Sequence, residues 1–170
     1  MKPRVLVAGI GNIFLGDDAF GVEVVRKAAA PPLDDHIVVE DFGIRATHLA
    51  LELSSGQYDA AILVDAVHRG GEPGTLYVIE PDVPGDNVEH MENVEDALDA
   101  HSLTPAAVLA WVKRLGGSPG RIVIVGCEPA SVDEWPGLSP AVEAALDDAV
   151  KMVRELATLL AASTERPVCA

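Results

Sequence analysis

The sequence predicts an α/β domain built on a mostly parallel sheet, and three observations carry that prediction. Short apolar runs of strand length alternate with segments of helical periodicity along the whole chain. The runs are nearly continuous in Val, Ile, Leu and Ala, as strands buried on both faces require. Two of the helical segments open on a hydroxyl residue followed by proline, the arrangement that caps a helix and fixes its first turn.

Taken in order, Val5 to Ala8 reads as the first strand and Ala19 to Ala30 as the helix after it. His36 to Val39, Ala60 to Val64, Thr75 to Ile79 and Arg121 to Val125 supply four more strands, giving five. Further helices are expected at Ala46 to Leu53, at Pro105 to Leu115 behind Thr104, and at Ala141 to Leu160 behind Ser139 and Pro140. In the last of these, Val142, Leu146, Ala149, Val153, Leu156 and Leu160 line one face. The run Gly70, Gly71, Glu72, Pro73, Gly74 suits a hairpin between the third and fourth strands, making one strand antiparallel. Glu80 to Asp99 is acidic and proline-spaced without periodicity and reads as a long surface loop. The expectation is a three-layer αβα domain, with a twisted five-stranded sheet, over residues 1–162, followed by a tail at 163–170.

With 170 residues, 49% of them hydrophobic, the chain can bury one full core. A formal net charge of −15 opposes binding to nucleic acid, because that affinity comes largely from Lys and Arg displacing counterions. No apolar stretch has membrane-spanning length, and a strand begins almost at the first residue, so a cytoplasmic protein without a signal peptide is expected. Cys127 and Cys169 lack metal-type spacing and read as reduced thiols, Cys127 as a small packed residue.

The turn after the first strand is the most informative stretch: Gly11, Asn12, Ile13, Phe14, Leu15, Gly16, Asp17, Asp18. Gly11 and Gly16 have phosphate-loop spacing, but Asp17 and Asp18 replace the Lys and Ser/Thr that such a loop needs. A dinucleotide fingerprint starting at Gly9 fails at Phe14, where its third glycine belongs. Adjacent carboxylates repel phosphate and favour a cation. Ligands of open α/β sheets bind at the carboxyl ends of the strands. Asp17 is read as the cap of the following helix, leaving Asp18 to face that edge.

Asp65 directly follows Ala61, Ile62, Leu63 and Val64, so it leaves the same sheet edge and can converge with Asp18. Alone it would read as a turn residue bonding the loop backbone; paired with Asp18 it reads as functional. His101 stands just before the helix marked by Thr104 and Pro105, where a helix N-terminus favours the neutral imidazole that a metal requires. His68, three residues past Asp65, is a substitute ligand of lower rank, and His36, His48 and His90 read as surface or packing residues. Two carboxylates and an imidazole with an open position suit zinc, nickel or a similar divalent ion, which activates water and polarises a carbonyl. A metal-free version has the two aspartates share a proton. The residues leave both versions open.

These features resemble a known family, the maturation endopeptidases of nickel-iron hydrogenases. The resemblance rests on Gly9 to Gly21, on Ile62 to Tyr77, on His101 with its helix, and on Gly126 to Pro129 followed by Gly137, Leu138, Ser139, Pro140. It implies a phosphorylase/hydrolase-like fold and removal of a C-terminal extension from the hydrogenase large-subunit precursor once nickel is inserted. It also implies a metal-contacting trio at Asp18, Asp65 and His101. The implied ion is nickel arriving with the precursor; zinc or cadmium could occupy the same site. Substrate contacts are assigned to Asn12, Asp41, Arg45 and Glu128.

Asp41, Phe42, Gly43, Ile44, Arg45 depart from the smaller Gly-Gly-Thr type of segment of many relatives, which leaves the substrate subclass open. Arg45 reads either as a holder of a precursor carboxylate or carbonyl or as a surface charge, and Glu128 either as a cleft residue or as a solvated loop acid. Trp111 is expected to pack on the sheet, and Trp135 either to stand exposed and anchor a partner or to pack within its loop. The alternatives are a non-catalytic nickel chaperone or scaffold for the large subunit, and a hydrolase or phosphorylase of similar topology acting on nucleosides or peptidyl-tRNA. The acidity of the turn opposes the latter.

Overall fold

The computed structural model describes residues 2–81 and 104–163. Strand β1 (Val5–Ile10) runs into a 3-10 turn (Gly16–Ala19) and helix α1 (Phe20–Ala28), then β2 (Ile37–Gly43), α2 (Ala46–Ser54), β3 (Ala60–Ala66) and β4 (Leu76–Ile79). Helix α3 (Pro105–Arg114), β5 (Arg121–Cys127) and α4 (Pro140–Ala162) complete the described chain. The sheet order is β2-β1-β3-β5-β4, parallel except for β4.

Alternation along the strands sorts the core into two layers. Val5, Val7, Ile62, Val64, Val123 and Val125 face α1 and α4, while Leu6, Ala8, Ala61, Leu63, Ile122 and Ile124 face α2 and α3. This is the three-layer αβα architecture the sequence predicts. Both proline-marked helix starts are capped as expected: Thr104 accepts from the Ala107 N–H and Ser139 from the Val142 N–H.

One neighbour relation differs from the sequence reading. β4 is antiparallel, but it pairs with β5, which lies between it and β3, so Gly70 to Gly74 is no hairpin turn. The chain from Ala66 to Leu76 is long enough to pass over one intervening strand, about 10 Å in two strand spacings. Glu128, just past β5, holds that crossing by accepting from the Arg69 and Gly70 N–H groups at 2.8 and 3.2 Å.

The order matters for the site, because β1 and β3 are adjacent in the centre of the sheet. The residues leaving their carboxyl ends therefore meet. The expected loop beyond Pro81, together with His90, His101 and the tail beyond Ser163, lies outside the described residues.

Candidate active site

Gly11 folds the chain back at the end of β1. Its φ of +136° favours glycine, and a side chain there would place Cβ 1.8 Å from the Asp18 carbonyl oxygen. The turn this permits lets the Asn12 N–H donate to Asp18 Oδ2 at 2.8 Å. Gly21, at the start of α1, lies so close to β3 that a Cβ would come within 2.0 Å of the Val64 carbonyl. Without side-chain bulk between them, the 3-10 turn carrying Asp18 sits directly against the strand carrying Asp65.

Asp65 is only 3% exposed. Burial drives its carboxyl well above the ordinary carboxylate range and the charge of Asp18 pushes it further; the Ala66 N–H, donating to Oδ1 at 2.8 Å, opposes both in part. Asp18 is half-buried, and burial raises its carboxyl too, against the lowering effects of the Asn12 N–H and of a charged His68 imidazole. The two acids are thus electrostatically coupled, each held by a single backbone donor among the described residues. Such a pair can share one proton or grip a cation. Among the described residues no group of three His, Cys, Asp or Glu side chains is assembled to hold an ion, and His101 lies outside them.

The neighbouring acids have other work. Asp17 does not cap its own helix, as the sequence suggests; it is 1% exposed and reaches across to the segment before α4. Its Oδ2 accepts from the Ala130 and Ser131 N–H groups at 2.7 and 3.2 Å and from the Ser139 hydroxyl at 2.9 Å, while Oδ1 accepts from the Ser139 N–H at 2.6 Å. The short 3-10 turn puts its side chain on the far side, where those donors converge. Glu128 is buried, not a solvated loop acid. Burial would raise its carboxyl, but the Arg69 N–H, the Tyr77 hydroxyl and the Gly71 and Gly70 N–H groups outweigh that and hold it below its ordinary value. His68 Nδ1 stands 3.9 Å from Glu128 Oε1. Cys127 is buried, and burial, with Asp17 and Glu128, pushes its thiol up to about 11, which makes it a packing residue.

Asp41 and Arg45 line a cleft beside the acidic turn, together with Asn12. Asp41 is paired with Arg26 at 3.0 Å. Arg45 folds onto its own segment, donating to the carbonyl oxygens of Phe42 at 3.2 Å and Asp41, and stacks on the Phe42 ring. Trp135 is 71% exposed, on the loop that Asp17 ties down, whereas Trp111 is partly buried against the α2–α3 face. The tie from Asp17 to Ser139 is the feature sequence reasoning missed. Only the Gly137 to Pro140 motif hinted that this segment had a fixed place.

A hydrogenase maturation protease family model matches residues 22–156, most of the chain. The hydrogenase expression/formation protein HupD of Rhizobium leguminosarum bv. viciae is 31% identical over 169 residues, covering 96% of this chain and 80% of its own length. The chain belongs to the hydrogenase maturation protease family. The hydrogenase 2 maturation protease of Escherichia coli K12 is similarly 31% identical, over 88% of each chain. Among solved structures, the hydrogenase maturating endopeptidase HybD from E. coli superposes with a TM-score of 0.68 at 28% identity, covering 88% of this chain and 89% of that one. The [NiFe] hydrogenase maturation protease HycI from Thermococcus kodakarensis KOD1 gives 0.69 at 25% identity, covering 92% and 94%. The maturation-protease sheet with one antiparallel strand is therefore shared. The family match includes Asp65, whereas Asp18 precedes it.

Proposed function

We propose that this maturation protease removes the C-terminal extension of a nickel-iron hydrogenase large-subunit precursor after nickel insertion, with Asp18 and Asp65 at the reacting centre. The observation that carries the reading is the pair itself: two acids meeting at the carboxyl edge of the sheet, one buried and pushed well up, each with one donor among the described residues. Among the described residues neither acid has a cationic side chain bonded to it, and carboxyls perturbed in this way at a sheet edge support the reading of a working site.

The environments divide the labour. Asp65, driven upward by burial and by Asp18, favours its protonated form and would donate that proton to the scissile carbonyl oxygen. Asp18, half-buried and steadied by the Asn12 N–H, can take a proton from the attacking water. Two coupled acids of this kind are the basis for an aspartic-type classification. The donor set also fits a divalent cation, since among the described residues no cationic side chain is bonded to these two neighbouring carboxylates. Asp18 and Asp65, with His101 as third ligand, would hold nickel, which when bound polarises a carbonyl. An ion arriving with the precursor would make cleavage conditional on metal insertion. We place the reaction in the cytoplasm; among the described residues no helix is long and apolar enough to cross a membrane.

The test is incubation with a nickel-loaded large-subunit precursor and mass spectrometry of the product. Wild type is expected to release the tail, and folded Asp18→Asn, Asp65→Asn and His101→Gln variants to leave it uncut. Normal release by all three variants would place the chemistry elsewhere. Equal cleavage of nickel-free precursor would remove the metal checkpoint.

A further inference from the structure

The cleft of about 340 Å³ beside the acidic turn, at the low end of ordinary binding pockets, has an unusual lining for a chain of formal charge −15. Its exposed walls are apolar: Phe14 is 69% exposed, Ile44 61% and Ile13 38%. A second cleft of about 300 Å³ between α1 and the edge strand β2 shares Arg26 and Asp41 with the first and continues it past Val39. Together they form a groove along β2.

The charged side chains lining this groove are already engaged by neighbours among the described residues. Arg26 pairs with Asp41 at 3.0 Å and with Glu23 at 3.5 Å, and Arg45 bonds the Phe42 and Asp41 carbonyl oxygens and stands 3.9 Å from Glu40. These pairings among the described residues leave little unopposed charge for an incoming ion to neutralise, whereas an uncharged apolar segment covers Phe14 and Ile44 and displaces only water from them. The groove is continuous with the reacting centre through Asn12, which lines the cleft and donates its N–H to Asp18. Whatever lies in it is therefore next to the acids.

We infer that this groove takes an uncharged, apolar stretch of the protein substrate's tail on one side of the bond to be cut, gripped between Phe14 and Ile44. The inference rests on the protease reading above and adds to it the chemistry of the segment and the residues that select it.

Steady-state cleavage of precursor by wild type, Phe14→Ser, Ile44→Ser and, as a control, Leu51→Ser tests it. Leu51 is an exposed leucine on α2 that lines neither cleft. Both groove variants are expected to raise KM about tenfold with kcat within about twofold, the size of a lost apolar pocket contact, and the control to match wild type. A precursor whose apolar tail residues are changed to serine should be a poor substrate for wild type and no worse for the groove variants, because the two losses are one contact. Unchanged KM in the groove variants, or full added penalties on the altered precursor, would overturn the inference while leaving the protease reading intact. Wild type that cuts no precursor would instead overturn the reading on which both depend.

Discussion

Asp17 and Asp18 are adjacent in sequence and opposite in circumstance. Asp17 is buried with four donors on its carboxyl, from Ala130, Ser131 and Ser139, and fastens the β5–α4 segment to the first turn. Asp18, one residue on, has a single donor among the described residues and faces Asp65, which likewise has a single one among them. The same contrast separates Glu128, wrapped by the 69–77 crossing, from Asp65. Carboxyls with several donors build a protein; those with fewer, held close together, carry an electrostatic cost that a reaction can use. The acids with several donors hold the loops that frame the other two.

The largest expected effect is on turnover. Asp65→Asn should lower precursor cleavage by about 10³-fold or more while the protein remains folded, since on the proposed mechanism the reaction uses its carboxyl, not its packing. Product mass spectra over a time course measure this.

Second comes Asp17→Ala, which should destabilise by about 3 kcal/mol or more because several buried donors lose their acceptor together. Urea unfolding measures it. A loss as small as that of a surface residue would erase the distinction between the two aspartates.

Third, Asp65→Asn should increase stability near neutral pH by about 0.5–2 kcal/mol, the usual gain when a site's functional strain is relieved. The pH dependence has a definite sign. The native state holds the Asp65 carboxyl above its unfolded value, so it binds the proton more tightly, and wild-type stability falls as pH rises from about 3.9 through the folded value. The asparagine variant lacks that loss. Its advantage in melting temperature should therefore be near zero in acid, grow across that window and level off above it. The smallest effect is at the surface: Arg26→Gln, which breaks an exposed pair with Asp41, should change stability by no more than about 0.5 kcal/mol.

Much of this was legible in the sequence because it is local. Continuous apolar runs mark β1, β3 and β5, and the Thr104 and Ser139 caps mark two helix starts. β2 reads as ending at Val39 but continues to Gly43, because as an edge strand it tolerates polar Glu40 and Asp41 where the pattern suggests a loop. β4 beside β5 is a choice of neighbours, settled by long-range contacts that no local pattern shows. Asp18 and Asp65 were legible as acids at strand ends. The role of Asp17 was not, because its partners lie 113 to 122 residues away.

The central claim is that Asp18 and Asp65 act as one coupled site. Carbon-detected NMR titration of the Asp65 carboxyl, in wild type and in Asp18→Asn, tests it most directly. Asp65 should titrate well above the ordinary carboxylate range in wild type and move down when Asp18 is neutralised, remaining raised by burial alone. An Asp65 that titrates near 3.9, or one indifferent to Asp18, would contradict the account.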